Sequence, residues 1–283
     1  MTTLQNKIDF ALIFSVRHAN PNGDPLNGNR PRIDYDGIGE VTDVCLKRKL
    51  RDRLVEEGHP IFVQSDDRKT DNETSLRNRA ETVLGKAAFG KSANKEETAR
   101  KACTAWFDVR AFGQVFAFGK SADSSGVSIP IRGPVTIQSA FTRKPVQVVS
   151  TQITKSASGE GDGSKRGPDT MGMKHRIDYG LYETYGSINP QLAERTGFTD
   201  ADAEVIKGIL PRLFENDASS ARPEGSIQVL KVIWWRHNCK SGQYSSAKVH
   251  GSLRALWDEN DTFDVAALRR ALPGLEPEII SGF

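Results

Sequence analysis

The chain has 283 residues, 37% hydrophobic and 27% charged, with a formal net charge of +3. Its mean hydropathy is −0.49, and no apolar run approaches the ~20 residues of a bilayer-spanning helix, so no membrane partner is expected. The length fits one large domain or two small ones and is ample for a buried core.

The start, MTTLQNKIDF, carries Lys7 and Asp9 inside its first apolar pattern, unlike a signal peptide. Cys45, Cys103 and Cys239 are far apart and form no CxxC pair, which predicts a reduced, cytoplasmic protein. Lys and Arg outnumber Asp and Glu over 68–101 and 141–180, and the reverse holds over 253–283. A basic middle with an acidic tail points to a polyanionic partner and to self-association.

Ile8, Phe10, Leu12, Phe14 and Val16 alternate with Asp9, Ala11, Ile13, Ser15 and Arg17, which predicts a half-buried strand with one apolar face. A long turn-rich loop follows, RHANPNGDPLNGNRPR (17–32). Thr42 or Asp43 then caps a helix that runs to about Glu57 and stops at Gly58. Leu46, Leu50 and Leu54 form its buried stripe, with Lys47, Arg48 and Arg51 on one flank and Lys49 and Arg53 on the other.

HPIFVQ (59–64) predicts a short strand; residues 65–105 are polar, helix-prone and read as an insertion. WFDVRAFG (106–113) returns to core character, and VSIPIRGPVTIQSAF (127–141) predicts strand, turn, strand. SASGEGDGSKRG (156–167) is a charged Gly/Ser loop, expected to be mobile. KHRIDYGLYETYGSI (174–188) predicts a strand bent or bulged near Gly180. Thr199 caps a helix to about Phe214, and IQVLKVIWWRHN (227–238) predicts a late strand. No internal repeat of fixed period is visible. This order predicts an α+β fold of the ferredoxin or RNA-recognition-motif kind, interrupted by two long polar insertions.

GKAAFGKS (85–92) matches the phosphate-binding loop G-x-x-x-x-G-K-[ST] in full. Such a loop would set Lys91 on phosphate and Ser92 on magnesium, so a nucleotide hydrolase is the alternative reading. The motif demands a strand before it, whereas SLRNRAETVL reads as a polar helix. RAFGQVFAF (110–118) agrees with the RNP1 signature at Arg110, Phe112, Gly113 and Val115 and departs from it at Ala111, Gln114 and Ala117. A core strand with inward aromatics explains those letters equally well.

The five histidines, His18, His59, His175, His237 and His250, show no metal-ligand spacing. His237 and Cys239 share a strand face but lack two further ligands, so neither metal nor cofactor is expected. No nucleophile motif or carboxylate pair stands out, and no catalytic residue is assigned. Asp34 and Asp36 read as turn and cap residues.

The candidate surface is a convergence. The opening loop offers Arg17, His18, Asn20, Asn22, Asn27, Asn29 and Arg30, and the next helix offers Lys47, Arg48 and Arg51. Cations bind phosphates as point charges or forks, and Asn side chains hold phosphate or sugar oxygens. MGMKHRIDYG (171–180) adds Met171, Met173, Lys174, His175 and Arg176. There, apolar tips would wedge between bases while the cations hold backbone.

RHANPNGDPLNGNRPR, TDVCLKRKLRD (42–52), IRGPVTIQSAF (131–141) and MGMKHRIDYGLY (171–182) occur in that order. Together they resemble the seventh CRISPR-associated (Cas) protein family in its subtype I-C form. The resemblance implies a modified RNA-recognition-motif palm over 1–283, with a helical finger insertion at 65–105 and a flexible thumb at 142–174. It implies a non-enzymatic backbone subunit of the Cascade surveillance complex in antiviral defence. Copies would stack as a right-handed filament along the CRISPR guide RNA and present it for pairing with a target DNA strand. The implied partners are that RNA, the target strand, neighbouring copies, and Cascade subunits of the fifth and eighth Cas families. The protein would read backbone and shape while pairing reads sequence. Carried onto this chain, the loop residues with Lys47, Arg48 and Arg51 would line the guide groove. Met171, Met173, Lys174, His175 and Arg176 would lie near a kinked base.

Overall fold

The computed structural model describes residues 2–90, 92–118, 128–154 and 171–283, so the loop read at 156–167 and Lys91 lie outside the described residues. Strand β1 (Ile8–Ala19) opens the fold. The polar loop after it folds back on itself through the short pair β2 (Gly23–Asp24) and β3 (Arg30–Pro31), and β4 (Ile38–Val41) follows. Helix α1 (Asp43–Glu56) begins where the Thr42 hydroxyl accepts the Cys45 N–H. Its Leu46, Leu50 and Leu54 are fully buried, each stabilising by about 1.5–3 kcal/mol relative to exposure.

Three helices come next, α2 (Leu76–Leu84), α3 (Lys95–Ala105) and α4 (Phe107–Phe112). The antiparallel pair β5 (Gly113–Ala117) and β6 (Ser128–Arg132) lies off the main sheet. The chain then makes β7 (Val135–Ile137), β8 (Ala140–Pro145), β9 (Val148–Thr154) and the long β10 (Met171–Ile188). Helices α5 (Pro190–Thr196) and α6 (Asp200–Ile209) lead to β11 (Ile227–Arg236). The last elements are α7 (Ser246–Arg254), α8 (Val265–Ala271) and β12 (Pro277–Ser281).

The result is a mixed α/β fold on an antiparallel sheet ordered β12-β11-β1-β10-β8-β4, with β7 and β9 also paired to β10. One face buries Phe10, Leu12 and Phe14 with Leu46, Leu50, Ala193 and Ile206 of α1, α5 and α6. The other buries Ala11 and Ile13 with Val249 and Leu253 of α7 and Leu268 of α8. The expected half-buried strand is therefore buried on both faces at its centre. Helices α7 and α8 cover the second face, and their short segments carry too little periodic signal to be read from sequence.

Phe62, Ala80, Phe89, Ala102, Trp106, Phe116 and Ile129 build a satellite core. Helix α4 straddles both cores, with Phe107 and Ala111 in the main one and Val109 in the satellite. The insertion read at 65–105 thus shares its apolar centre with the hairpin that follows it.

The strand expected at 59–64 does not form. The N–H groups of Phe62 and Val63 donate instead to the buried Asp108 carboxylate, at 2.7 and 3.1 Å. The run at 127–141 divides between two sheets, β6 on β5 and β7 on β10. The β1–β10 register runs through Gly180 with no bulge, and a separate register shift falls between Ile13 and Phe14 where β1 pairs with β11. Gly180 answers a close approach instead: a Cβ there would meet the Tyr182 ring at 3.0 Å. The helix after Thr199 stops at Ile209 and tightens into a 3-10 turn at Leu210–Arg212, where Pro211 has no N–H to continue the ladder.

Candidate nucleic-acid interface

β1 and β10 pair in continuous register, which sets Arg17 opposite Tyr179 and Ala19 opposite Ile177. The Arg17 guanidinium lies over the Tyr179 ring, 5.0 Å from its centroid. His18 sits at φ 51°, a rare conformation for a non-glycine residue, and its Nδ1 lies 2.9 Å from the Asp178 carboxylate. Two stretches far apart in sequence, the opening loop and 171–180, thus meet at one sheet corner.

Beyond that corner β10 continues past the end of β1 as a ribbon with β9, from Ile177 opposite Val148 out to Met171 opposite Thr154. Side chains alternate across a ribbon, so Met171, Met173 and His175 share one face while Lys174 and Arg176 share the other. Both methionines are more than half exposed. The His175 Nδ1 is 2.8 Å from the Ser150 hydroxyl, its cross-strand neighbour. The grouping read from sequence, apolar tips beside cations, is split by the pleat into two surfaces back to back.

Asparagines shape the loop from within. The buried Asn20 amide donates to the Asn29 carbonyl at 2.7 Å. The Asn22 side-chain oxygen accepts both the N–H and the hydroxyl of Thr42, each at 3.0 Å, and so holds the start of α1. Gly28 and Asn29 take left-handed φ values to turn the tip. Asn27 and Arg30 stay exposed, and Arg30 has no ion-pair partner among the described residues. Asp34 closes a turn by accepting the N–H groups of Asp36 and Ile38 at 2.9 Å each.

The cations of α1 all have acidic partners. Lys47 pairs with Asp43 at 2.9 Å, and Arg48 pairs with Asp52 at 2.9 Å. Arg51 reaches the buried Asp108, also at 2.9 Å. Lys49 bonds Asp217, and Arg53 bonds Glu56. The helix is a cross-linking spine: Arg51 ties it to the satellite unit and Lys49 ties it to the loop before β11.

Sequence reasoning missed three exposed apolar groups. Tyr179 supplies the ring under Arg17, Leu26 projects almost wholly into solvent from the opening loop, and Tyr35 does so from the turn before β4. Tyr179 was legible only through its register with Arg17, which needs the β1–β10 pairing.

Other motifs resolve into structure. GKAAFGKS is entered from α2, a helix, and passes through a 3-10 turn at Lys86–Phe89 into α3; the strand that a phosphate-binding loop needs is not there. The RNP1-like letters straddle the end of α4 and β5, off the main sheet. His237 is buried: its Nδ1 accepts the Gln243 N–H at 2.9 Å, which leaves the proton on Nε2 to donate to Asp9 at 2.8 Å. Lys7 completes that group 3.1 Å from Asp9. Burial pushes the Asp9 carboxyl up, but His237, Ser246 and Lys7 outweigh it and hold it below the usual range.

The model of the family described as CRISPR-associated protein Cas7 matches residues 6–266. The chain belongs to the Cas7 family. A relative from Haloferax volcanii, "CRISPR-associated protein Cas7", is 30% identical to this Cas7-family chain over 245 residues, covering 82% of it and 71% of the relative. A solved chain of a "CRISPR RNA-guided surveillance complex, pre-nicking" is similar with a TM-score of 0.49 and 13% identity, over 94% of this chain and 87% of that one. A chain of another "CRISPR RNA-guided surveillance complex" has a TM-score of 0.49 and 17% identity, over 97% and 88%. Among the described residues no helix of this Cas7-family chain is long and apolar enough to cross a membrane.

Proposed function

We propose that this chain is the guide-RNA-binding backbone subunit of a type I-C Cascade surveillance complex, cytoplasmic and without catalytic activity of its own. Copies stack as a filament along the CRISPR RNA and present it to a target DNA strand, alongside subunits of the fifth and eighth Cas families. Family membership supports the general role. The observation that carries the RNA reading is the corner where Arg17, stacked on Tyr179, and His18 adjoin the base of the β9–β10 ribbon.

Exposed Arg17, His18, Asn27 and Arg30 hold the strand's backbone, and Tyr179 stacks a base. Asn20 and Asn22 keep the loop in shape. The ribbon is the thumb, with Met171 and Met173 as the apolar wedge on one face and Lys174 and Arg176 toward phosphate on the other. The satellite unit is the finger. Lys47, Arg48 and Arg51 border the groove as ion pairs and lend it less field than their number suggests. The connectivity β1-α1-β8-β10-α6-β11 supports reading the centre as a β-α-β-β-α-β palm.

Titration of the purified protein onto a CRISPR-type single-stranded RNA at several salt concentrations tests this, with particle size followed by light scattering. The log–log salt slope is expected to be near −0.7 per neutralised phosphate, with size growing as the RNA lengthens. Absence of both binding and growth would overturn the reading.

A further inference from the structure

A cleft of about 270 Å³ opens between the end of β10 and the start of α7. Thr136, Gln138, Tyr185, Ser187, His250 and Arg254 line it, and no Asp or Glu does. The exposed Arg254 guanidinium lies over the Tyr185 ring, 4.4 Å from its centroid. It has no ion-pair partner among the described residues. One contact of that guanidinium goes to the Tyr185 side chain itself; a guanidinium has five N–H donors, and the others can fork onto two oxygens of one phosphate.

The surroundings are arranged for an anion. Two acids lie close by, and both are already engaged. Asp9 sits behind His250, 3.6 Å from its Nε2, and is bonded to Lys7 and His237. Glu183 accepts the Tyr185 hydroxyl at 3.0 Å and the Trp257 indole N–H at 2.8 Å. At the rim the Thr136 and Ser187 hydroxyls lie 2.9 Å apart, and the exposed Gln138 adds an amide. The volume is slightly below the ~300–1,000 Å³ of ordinary ligand pockets, which suits one phosphate and part of the sugar attached to it.

We propose that this cleft is a phosphate-binding site anchored by Arg254, with the Thr136–Ser187 hydroxyls and Gln138 as neutral partners. Gly186, in its wall, is seven positions along β10 from Tyr179, about 23 Å at ~3.3 Å per residue. A single phosphate held here lies too far from Arg17 to share its contacts. The inference stands apart from the guide-RNA reading.

The test is calorimetric titration of the full chain at low salt with two probes, inorganic phosphate and an eight-nucleotide thymidylate strand. Arg254→Gln is expected to weaken at least one probe about tenfold, and Arg254→Lys less, because it keeps the charge without the fork. Arg269→Gln, the same charge change on exposed α8, should leave both unchanged. Loss for phosphate alone supports a small phosphorylated ligand, and loss for the strand supports a phosphodiester. Thr136→Val removes a hydroxyl without touching the Arg254–Tyr185 stack, and should weaken the same probe if Arg254→Gln folds poorly. The proposal is overturned if neither probe binds the unchanged chain, or if both bind Arg254→Gln and Thr136→Val undiminished. Guide-length RNA titrated in parallel should bind Arg254→Gln normally at Arg17, which separates failure here from failure there.

Discussion

Arg17 and Tyr179 face each other across the β1–β10 ladder, with the guanidinium 5.0 Å from the ring centroid. The pair presents a cation and an aromatic face at the same corner, the combination that holds a phosphate beside a stacked base. Arg17→Ala is expected to make the RNA salt slope shallower by about 0.7, one phosphate contact. Tyr179→Ala is expected to weaken binding by about 1–3 kcal/mol with the slope kept. Fluorescence anisotropy across a salt series separates the two; identical slopes for Arg17→Ala and the unchanged chain would remove Arg17 from the contact.

Arg51 behaves differently. Its partner Asp108 is buried and also receives the Phe62 and Val63 N–H groups. Asp108→Ala strands three donors, and a loss of about 3–5 kcal/mol in unfolding free energy is expected. Arg51→Ala should likewise lower the urea midpoint more than it lowers RNA affinity. A normal midpoint with strongly reduced RNA binding would assign Arg51 to phosphate instead.

Asn22 is a scaffold by the same reasoning. Its oxygen accepts twice from Thr42, and Thr42 caps α1. Asn22→Ala is expected to cost about 1–2 kcal/mol of stability, read by chemical denaturation. Unchanged stability would mean that the cap does not depend on it.

Acid should unfold the protein in two stages. Burial pushes the His250 imidazole below its ordinary value, and Asp9 and Arg254 act only secondarily. Its neutral form is favoured in the fold, so that share of stability is present above ~6.5 and declines as pH falls through it. For Asp9 and Asp202, burial raises the carboxyl, but hydrogen bonds from His237, Ser246 and Lys7 with the Lys7 charge, and hydrogen bonds from Arg110 and Thr199 with the Arg110 charge, bring the net below normal. Those folded carboxyls bind fewer protons than unfolded ones, so their share is intact above ~3.9 and is lost below it. Denaturation midpoints between pH 7 and 3 should fall shallowly, then steeply, with a smaller steep part in Asp202→Asn. A midpoint that rises on acidification would contradict this.

The period-two run at 8–16, the leucine stripe at 46, 50 and 54, and the apolar strand 227–236 were legible because each repeats one local geometry strongly enough to outvote its neighbours. The opening loop announced itself through its Asn, Pro and Gly content, which follows from turn chemistry alone. The covered second face of β1 was not legible, because α7 and α8 span only nine and seven residues, too short for a helical period to stand out. The absent strand at 59–64 was not legible either, since Asp108, far along the chain, takes the N–H groups a ladder would have used.

The sequence by itself determined which residues carry charge, where turns must form, and the family to which the chain belongs, since those depend on local composition and order. Tertiary structure alone decided which cations face solvent. A helix rich in Lys and Arg looks like a phosphate surface until acids pair with its cations, and the acids opposite Lys49 and Arg51 come from Asp217 and Asp108 in other elements. It alone also set Tyr179 under Arg17 and split the methionines of the ribbon from its cations. Strand register and pleat are properties of paired chains, and one strand's letters do not carry them.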